Sequence, residues 1–184
     1  MSVLQMTHCM ACGTELMHRY LKGEGIVPYC PQCHDFRFPV FNTAVSMIVL
    51  NEHKDQVLLI KQYGRDAYIL VAGYVSRGED VEVTVRREVM EEMGLEVKAL
   101  RFNHSHFFEP TNTLMLNFTV VVGGEKPRPN WEIDDYDWFS IAEARKNILS
   151  PSLAKDFLVD YWMVFMRLHR QRICSRSIRF SCGR

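Results

Sequence analysis

The chain has 184 residues, of which 47% are hydrophobic and 24% are charged. Its 22 Lys and Arg residues balance its 22 Asp and Glu residues, so the formal net charge at pH 7 is zero. This composition excludes an intrinsically disordered chain and a uniformly basic coat for nucleic acid. The N-terminus has no signal-peptide pattern, and no apolar run is long enough to cross a bilayer. We therefore expect a cytoplasmic protein with reduced thiols and no membrane partner.

Residues 1–38 carry two C-x-x-C pairs separated by seventeen residues. The four cysteines are Cys9, Cys12, Cys30 and Cys33. Two tight turns of this kind bring four thiolates around one tetrahedral Zn²⁺, and a fully occupied tetrahedron indicates a structural metal. The segment therefore predicts a zinc ribbon. Two alternatives stay open: the cysteines form a redox pair or remain free thiols, or His8 or His34 replaces one of them as a ligand.

Short segments rich in Val, Ile and Leu follow, separated by polar turns, and they predict β-strands. The predicted strands cover residues 43–50, 56–60, 68–71, 95–102, 114–122 and 136–139. Residues 79–93 have a different period, because Val81, Val85 and Val89 recur every four residues and predict an amphipathic helix. Gly94 is the expected left-handed cap at the end of this helix. Strands mixed with a few helices indicate an α/β layered sandwich.

Two further helices are predicted in the C-terminal part of the chain. The first covers residues 140–147. The second has Ser150 as its N-cap and Pro151 at its first helical position, and it runs to about Arg170. Residues 171–184 form a basic tail, in which Cys174 and Cys182 are predicted to be bystanders.

The helix at residues 79–93 carries clustered carboxylates. Glu88, Glu91 and Glu92 are three and four positions apart, so they lie on one side of the helix. Carboxylates at this spacing repel one another unless a hard cation such as Mg²⁺ or Mn²⁺ neutralises them. An ion pair between Arg87 and Glu79 would lock the preceding loop onto the helix. The alternative is a solvated acidic face, which is what a charge run alone usually forms.

The spacing of the surrounding residues decides against that alternative. From Gly73 to Leu95 the sequence follows the pattern G-x5-E-x7-R-E-U-x-E-E-x-G-U, in which U is an aliphatic residue. These positions resemble the Nudix box of the Nudix hydrolases. The resemblance extends over roughly residues 40–165 and implies an α/β/α sandwich with a mixed sheet. It gives a domain order of a zinc ribbon at residues 1–38, a Nudix domain at 39–170 and the basic tail at 171–184.

The Nudix resemblance implies hydrolysis of a nucleoside diphosphate linked to another moiety, with a role for each acidic residue of the box. Glu88 and Glu92 would bind Mg²⁺ or Mn²⁺, and Glu91 would be a further ligand or would orient water. Glu92 would also act as the general base, directly or through a water on the metal. Arg87 would have a structural role in the box, through its ion pair with Glu79.

Acidic residues downstream of the box are candidates for completing the metal site. Glu132 is expected to do so, because its segment resembles the family's E-x5-W-F/Y region. Asp135 is the second candidate, and Glu109 is a third acid near the expected pocket. His104 and His106 share one face of a predicted strand and are expected to be ordinary surface or core histidines rather than substrate ligands.

A zinc ribbon directly before a Nudix domain resembles the NADH pyrophosphatase (NAD diphosphatase) family. Ala72, Gly73 and Tyr74 match that family's Ala-Gly-Phe, in which the ring helps to hold a base of the dinucleotide; a core aromatic is the alternative for Tyr74. The family's motif SQPWPFPxxLM is changed here to SHFFEPTNTLM, in which Phe108 replaces Trp. Ala72, Gly73, Tyr74 and Phe108 are therefore the candidate substrate-binding residues.

The resemblance implies cleavage of NAD(H) to nicotinamide mononucleotide and AMP. The changed motif keeps ADP-ribose, another dinucleotide, a sugar nucleotide or NAD-capped RNA open as substrates. For the RNA, the six arginines between Arg167 and Arg184 would offer a binding surface, although such a run is more often a solvated tail. A non-catalytic nucleotide-sensing module is the remaining alternative. The family resemblance alone indicates a homodimer.

Overall fold

The computed structural model describes residues 6–124 and 126–177, with side chains described as far as Arg167. The chain divides into two compact units. The first contains the residues up to Thr43 together with Phe107–Leu114, and the second contains Ala44–His106 and the residues from Met115 onward. Cys182 and the side chains of Cys174 and of the rest of the predicted basic tail lie outside the described part of the chain.

The first unit is built around a small antiparallel sheet. Its strands, in the order β1-β2-β3, are β1 Met17–Leu21, β2 Gly25–Cys30 and β3 Asp35–Phe36. Very few apolar side chains are buried here: among the residues of this unit that the structure describes, the buried hydrophobic ones are Cys9, Val27 and Cys30. So small an interior contributes little hydrophobic stabilisation, and folds of this size usually need a metal or disulfides.

A six-stranded sheet forms the centre of the larger unit. Its strands are β4 Asn42–Leu50, β5 Gln56–Gln62, β6 Val71–Tyr74, β7 Val97–Phe108, β8 Thr113–Val122 and β9 Ile133–Ser140. The strand order is β7-β8-β4-β5-β9, and β6 pairs with the other end of β4. The helices are α1 Val81–Met93, α2 Ile141–Asn147 and α3 Leu153–Ser177.

Both faces of this sheet are buried, which follows from the alternation of side chains along β4. Val45, Met47 and Val49 pack in one hydrophobic cluster with the buried residues of α1. Ile48 and Leu50 point the other way and pack in a second cluster with α2 and α3. The predicted α/β/α sandwich is therefore confirmed.

Helix α1 forms for the reason that the sequence predicted. Val85, Val89 and Met93 are fully buried on one side of it, and Gly94 ends it in the left-handed conformation, with φ of 63°. The backbone N–H of Gly94 donates to the carbonyl of Met90 at 2.9 Å. A residue without Cβ adopts this cap conformation with little strain.

The predicted starts of strand β6 and helix α3 are wrong. Strand β6 begins at Val71, where its ladder with β4 starts, while Tyr68 and Ile69 form only isolated bridges. Helix α3 begins after Ser152 rather than at Pro151. The hydroxyl of Ser152 accepts the backbone N–H of Lys155 at 3.1 Å, which is the capping bond expected of Ser150.

Strand β7 is longer than predicted and reaches Phe108. The predicted helix at residues 140–147 is present as α2, with Ser140 as its N-cap in a reciprocal capping box with Glu143. Among the described residues, no helix is long and apolar enough to cross a membrane.

Candidate active site and cysteine cluster

Arg87 joins the loop after β6 to helix α1. Its Nε donates to Glu79 Oε1 at 2.8 Å, and its Nη2 donates to Glu79 Oε2 at 2.9 Å and to the carbonyl of Tyr74 at 3.2 Å. Glu79 Oε2 also accepts the hydroxyl of Thr84 at 2.8 Å and the backbone N–H of Ser76 at 3.2 Å. The expected ion pair between Arg87 and Glu79 is therefore present, and it fixes the loop on the first two turns of the helix.

The charges of this pair stabilise each other. The hydrogen bonds from Arg87 and then from Thr84 lower the pKa of Glu79 to about 2. The hydrogen bond to Glu79 in turn raises the pKa of Arg87 further above its ordinary value. Both groups are thus charged at every pH at which the protein would normally work.

The remaining donor group of Arg87 reaches two more carboxylates. Its Nη1 donates to Glu88 Oε1 at 2.8 Å and to Glu91 Oε2 at 2.9 Å. The Glu88 side chain lies mostly buried against Gly73, whereas that of Glu91 is exposed. Burial raises the pKa of Glu88, and the hydrogen bond from Arg87 opposes this effect.

Gly73 leaves the space that Glu88 fills. A Cβ atom on Gly73 would lie 2.0 Å from Glu88 Cδ and 2.2 Å from Glu88 Oε1. Glycine is required here because of this close approach, and the backbone angle of Gly73 makes no such demand. The same glycine pairs with Val45 of β4, so the sheet holds it in place.

Glu92 is the most deeply buried acid of the group. Only 5% of this residue is exposed, and its Oε2 has no hydrogen-bond partner. Burial first, and then the charges of Glu88, Glu132 and Glu91 in that order, raise its pKa to about 8. A buried carboxylate without a partner is costly unless a cation or a proton neutralises it. These oxygen donors fit a hard divalent cation.

Glu132 faces the same group from outside the box. Two backbone hydrogen bonds hold its segment against the end of α1, from the Arg128 N–H to the Met93 carbonyl at 2.7 Å and from the Asn130 N–H to the Glu92 carbonyl at 3.0 Å. Within the segment, the Glu132 N–H donates to Asn130 Oδ1 at 2.9 Å. The negative charge of Glu132 contributes to the raised pKa values of Glu88 and Glu92.

The other two downstream acids lie elsewhere. Asp135 points to Lys61, at 3.9 Å, and accepts the hydroxyl of Tyr68 at 3.5 Å. Glu109 opens the short 3-10 helix Glu109–Thr111 in the first unit. The geometry therefore groups Glu132, and not Asp135, with the carboxylates of the box, although the role of Glu132 stays a prediction.

Sequence reasoning missed Tyr63, whose hydroxyl donates to Glu132 Oε2 at 2.7 Å. This hydrogen bond raises the pKa of Tyr63, and the charges of Glu132, Glu92 and Glu88 add to the effect. The two residues are 69 positions apart, so no local pattern could have found the pair. A clue lies only in the neighbouring Gly64, which is typical of a turn that brings the preceding side chain back to the sheet.

The candidate substrate-binding residues fall in both units. Ala72, Gly73 and Tyr74 pair with β4 in the second unit, and Tyr74 is 60% exposed, which is incompatible with the alternative of a core aromatic. Phe108 is the half-buried last residue of β7 in the first unit, and its contact with substrate stays a prediction.

Neither of the two histidines on β7 stands out as a ligand. The ring of His104 packs 5.0 Å from that of Phe157, and its Nε2 lies 3.5 Å from Asp160. The side chain of His106 is exposed.

The first unit brings its four predicted cysteines together. Their sulfur atoms all lie within 4.8 Å of one another, with Cys9 Sγ 3.9 Å from Cys33 Sγ and Cys12 Sγ 3.5 Å from Cys30 Sγ. A tetrahedral zinc site with zinc–sulfur bonds of about 2.3 Å has sulfur–sulfur edges of about 3.8 Å. All four are free thiols. The cluster therefore has the donor set and the dimensions of a metal site, and neither His8 nor His34 belongs to it.

Arg37 provides positive charge beside this cluster. Its Nε donates to Cys9 Sγ at 3.2 Å, and this bond lowers the pKa of Cys9 to about 6. Hydrogen bonds to Cys12 and then Cys30 raise the pKa of Cys33 to about 12. Four thiols at this distance cannot all ionise together without a cation.

Comparison with known proteins identifies the family of the chain. The NUDIX domain family matches residues 40–158. The chain belongs to the NUDIX domain family. This stretch contains the complete Nudix box and the strands that hold it.

Two curated relatives match most of this chain. The NAD-capped RNA hydrolase NudC of Pseudomonas aeruginosa is 38% identical over 158 residues, which are 84% of this chain and 55% of that protein. The NAD-capped RNA hydrolase NudC of Stutzerimonas stutzeri is 37% identical over 165 residues, which are 88% of this chain and 57% of that protein. The chain spans about half the length of these relatives.

Solved structures show the same fold. A NUDIX hydrolase from Nitrosomonas europaea matches with a TM-score of 0.59 and 22% identity, over 83% of this chain and 88% of that one. The NUDIX domain of Shewanella oneidensis NrtR, solved with ADP ribose, matches with a TM-score of 0.55 and 17% identity, over 76% of this chain and 94% of that one. At these identities, the likeness shows the Nudix fold alone.

The contact between Gly73 and Glu88 predicts how a substitution of Gly73 changes the stability of the protein. Gly73→Ala should lower the free energy of unfolding by roughly 1–3 kcal/mol, because the added methyl group overlaps the Glu88 side chain. Glu88→Ala in the same chain should restore most of this loss, since all the nearest atoms belong to Glu88. Urea unfolding of both single variants and the double variant measures the coupling. Gly123→Ala is the control, because only the flexible end of Lys98 is near it. Additive effects of the two substitutions would contradict the contact.

The ion pair between Glu79 and Arg87 predicts a dependence of stability on pH. The pKa of Glu79 is lower in the folded protein, about 2, than its ordinary value of 4.5. Its contribution is therefore complete above about pH 4.5 and is lost as the pH falls toward 2. Glu79→Gln should be less stable than wild type at pH 7, and the difference should shrink over this acid range in urea unfolding. Glu96→Gln, an exposed surface change, should leave stability nearly unchanged. A gap that stays constant from pH 7 to pH 3 would argue against the pair.

Proposed function

We propose that the chain is a metal-dependent pyrophosphohydrolase that cleaves the diphosphate of a dinucleotide. The observation that carries this proposal is the buried Glu92, whose Oε2 is unpartnered among the carboxylates of Glu88, Glu91 and Glu132. Evolution rarely retains so costly a group without a ligand, because a simple amide or apolar side chain would be more stable there. Oxygen donors of this kind couple a divalent cation to substrate phosphates.

In this proposal, Glu88, Glu91, Glu92 and Glu132 hold Mg²⁺ or Mn²⁺. A divalent cation bound there would offset charge on the phosphoryl oxygens and lower the pKa of the attacking water. Glu92 would be the general base for that water, because it is the deeply buried carboxylate of the group and its Oε2 has no other hydrogen-bond partner. Arg87 and Glu79 keep the helix and the loop at a fixed distance while this happens.

The favoured substrate is NAD(H), which water would split into nicotinamide mononucleotide and AMP. Support comes from the relatives, which are named NAD-capped RNA hydrolases, and from the exposed ring of Tyr74 beside Ala72 and Gly73. NAD-capped RNA is the second candidate, because those names refer to it directly. ADP-ribose, other dinucleotides and sugar nucleotides follow, since Phe108 stands in a changed motif. A sensor without catalysis is the least favoured, because every glutamate of the box is retained.

The first unit has a separate, structural role in this proposal. Cys9, Cys12, Cys30 and Cys33 bind Zn²⁺ with four thiolates and leave no position for substrate. The proposal also places the end of the zinc ribbon at residue 38 and the end of the Nudix domain at residue 170. It further includes a cytoplasmic location and a homodimer.

Loss of the buried carboxylate gives the direct test of catalysis. Glu92→Gln should lower kcat at least ~100-fold, because removing a general base costs roughly 10²–10⁴-fold in rate. The assay supplies NADH, ADP-ribose, a dinucleoside polyphosphate and NAD-capped RNA in turn, with Mg²⁺ or Mn²⁺, and separates the products by chromatography. Glu96→Gln, an exposed acid just beyond the box, serves as the matched control and should keep full activity.

The outcomes separate the candidates. Turnover of NADH that disappears in Glu92→Gln supports the proposal, and turnover of the capped RNA alone selects the second candidate. No turnover of any substrate, with the variant indistinguishable from wild type, would rule out a catalytic role. For RNA, removal of residues 171–184 should also weaken binding and reduce its dependence on salt.

The cysteine cluster predicts one zinc ion per chain, measured by elemental analysis of the purified protein. Cys30→Ser should abolish most of this zinc and unfold the first unit, because its small interior cannot replace the folding energy of the metal. Cys174→Ser should retain the full zinc content. Equal zinc in the two variants would contradict the predicted site.

A further inference from the structure

Trp131 is exposed beside the acidic cluster, where nothing in the proposed chemistry uses it. It is 85% exposed, although an indole is among the side chains that gain most from burial. Exposed tryptophans of this kind are typical of surfaces that bind something. Trp131 immediately precedes Glu132 in the chain, so the indole projects from the same short segment that carries this carboxylate.

The backbone around Trp131 is well anchored. The hydrogen bonds from Arg128 and Asn130 to the last residues of α1 hold the segment on one side, and the N–H of Ile133 donates to the carbonyl of Asn130 at 3.4 Å on the other. The indole is therefore presented from a fixed turn rather than from a loose loop. A rigid aromatic surface binds with a smaller entropic cost than one that must first be ordered.

Tyr63 presents a second exposed ring at the same carboxylate. The ring is 61% exposed, and its hydroxyl donates to Glu132 Oε2 at 2.7 Å. The backbone of Tyr63 is left-handed, with φ of 57°, a conformation that is unfavourable for an aromatic residue. The next N–H, that of Gly64, donates to Asp134 Oδ2 at 2.6 Å, which holds this turn against the start of β9. Glu132 thus has an aromatic ring beside it in the chain and another bonded to it.

We propose that Trp131 and Tyr63 form an aromatic rim that stacks one base of the nucleotide whose phosphates bind at the neighbouring carboxylates. The inference rests on the proposed function and extends it. In a nucleotide a single ribose joins the base to the phosphates, so a base-binding surface has to lie directly beside the residues that hold the phosphates. Every base has a π-face, so rings of this kind bind bases with little regard to their identity.

A dinucleotide needs two such surfaces, because it carries a base at each end. Tyr74 accounts for one of them, on β6. Trp131 and Tyr63 account for the other, because both meet Glu132: Trp131 is its neighbour in the chain, and Tyr63 donates a hydrogen bond to it. The rim therefore predicts a preference for substrates with two bases over those, such as ADP-ribose, with one.

Fluorescence tests the rim without requiring turnover. Trp138 and Trp162 are half-buried, so the emission lost in Trp131→Phe isolates the signal of the exposed Trp131. With Mg²⁺ present, AMP or nicotinamide mononucleotide should quench this signal saturably, and ribose 5-phosphate, which has the phosphate without the base, should not. Quenching by ribose 5-phosphate as strong as that by AMP would overturn the proposal.

Kinetics give the second readout. Trp131→Ala should raise KM for the dinucleotide about 10-fold, the usual range for the loss of one base stack, and leave kcat within about 2-fold. Trp131→Phe, which keeps a ring, should recover most of this loss. Tyr20→Ala is the matched control, because Tyr20 is a similarly exposed ring on β1. An unchanged KM in Trp131→Ala, or a loss confined to kcat, would overturn the rim.

The two proposals fail in different ways. If wild type cleaves no dinucleotide but AMP quenches Trp131, the rim stands and the catalytic proposal falls. If wild type cleaves NADH and Trp131→Ala behaves as wild type in both assays, the rim falls and the catalytic proposal stands. A change of Trp131 emission that follows protein concentration, with no effect of nucleotide, would assign the indole to a protein interface and overturn the rim.

Discussion

The order of the acidic cluster depends on the guanidinium of Arg87. All three of its nitrogen atoms donate hydrogen bonds, and together they reach Glu79, Glu88, Glu91 and the carbonyl of Tyr74. Without this cation, carboxylates three and four positions apart on one helix would repel one another. Lysine could supply the charge but not the planar fork that serves several acceptors in fixed directions. One side chain therefore joins strand β6, the loop and the helix into one structure.

Glu92 is the acid that Arg87 does not reach, and the helical period explains why it is buried. It follows Val89 by three positions and precedes Met93, so it borders the apolar side of α1. The helix therefore carries this carboxylate into the edge of the core together with its neighbours. Burying this carboxylate costs free energy until a cation or a proton binds to it. A net charge of zero hides this arrangement, because the balance is made over the whole chain and not at the site.

The parts of the site that sequence predicted are those whose geometry is local. Helix α1, its Gly94 cap and the pair of Arg87 with Glu79 all follow from spacings within one loop and one helix. The choice of Glu132 over Asp135 does not follow from local spacing. It depends on the pairing of β5 with β9, whose register shifts between Lys61 and Gln62. As a result, Glu132 faces the acidic cluster, whereas Asp135, three positions further along the chain, faces Lys61.

Both units bring several acidic side chains together, but they arrange them differently. Each concentrates groups that become negative on ionisation, thiols in one and carboxyl groups in the other, and each places one arginine against them, Arg37 and Arg87. Among the described residues, only the cysteines converge so closely that their ligand atoms all lie within 4.8 Å. Four converging thiolates complete a tetrahedron and exclude further ligands, which suits a structural ion. In the proposed function, carboxylates that stay further apart, two of them held by Arg87, would leave coordination positions for phosphate oxygens and water, which is what a hydrolytic centre requires.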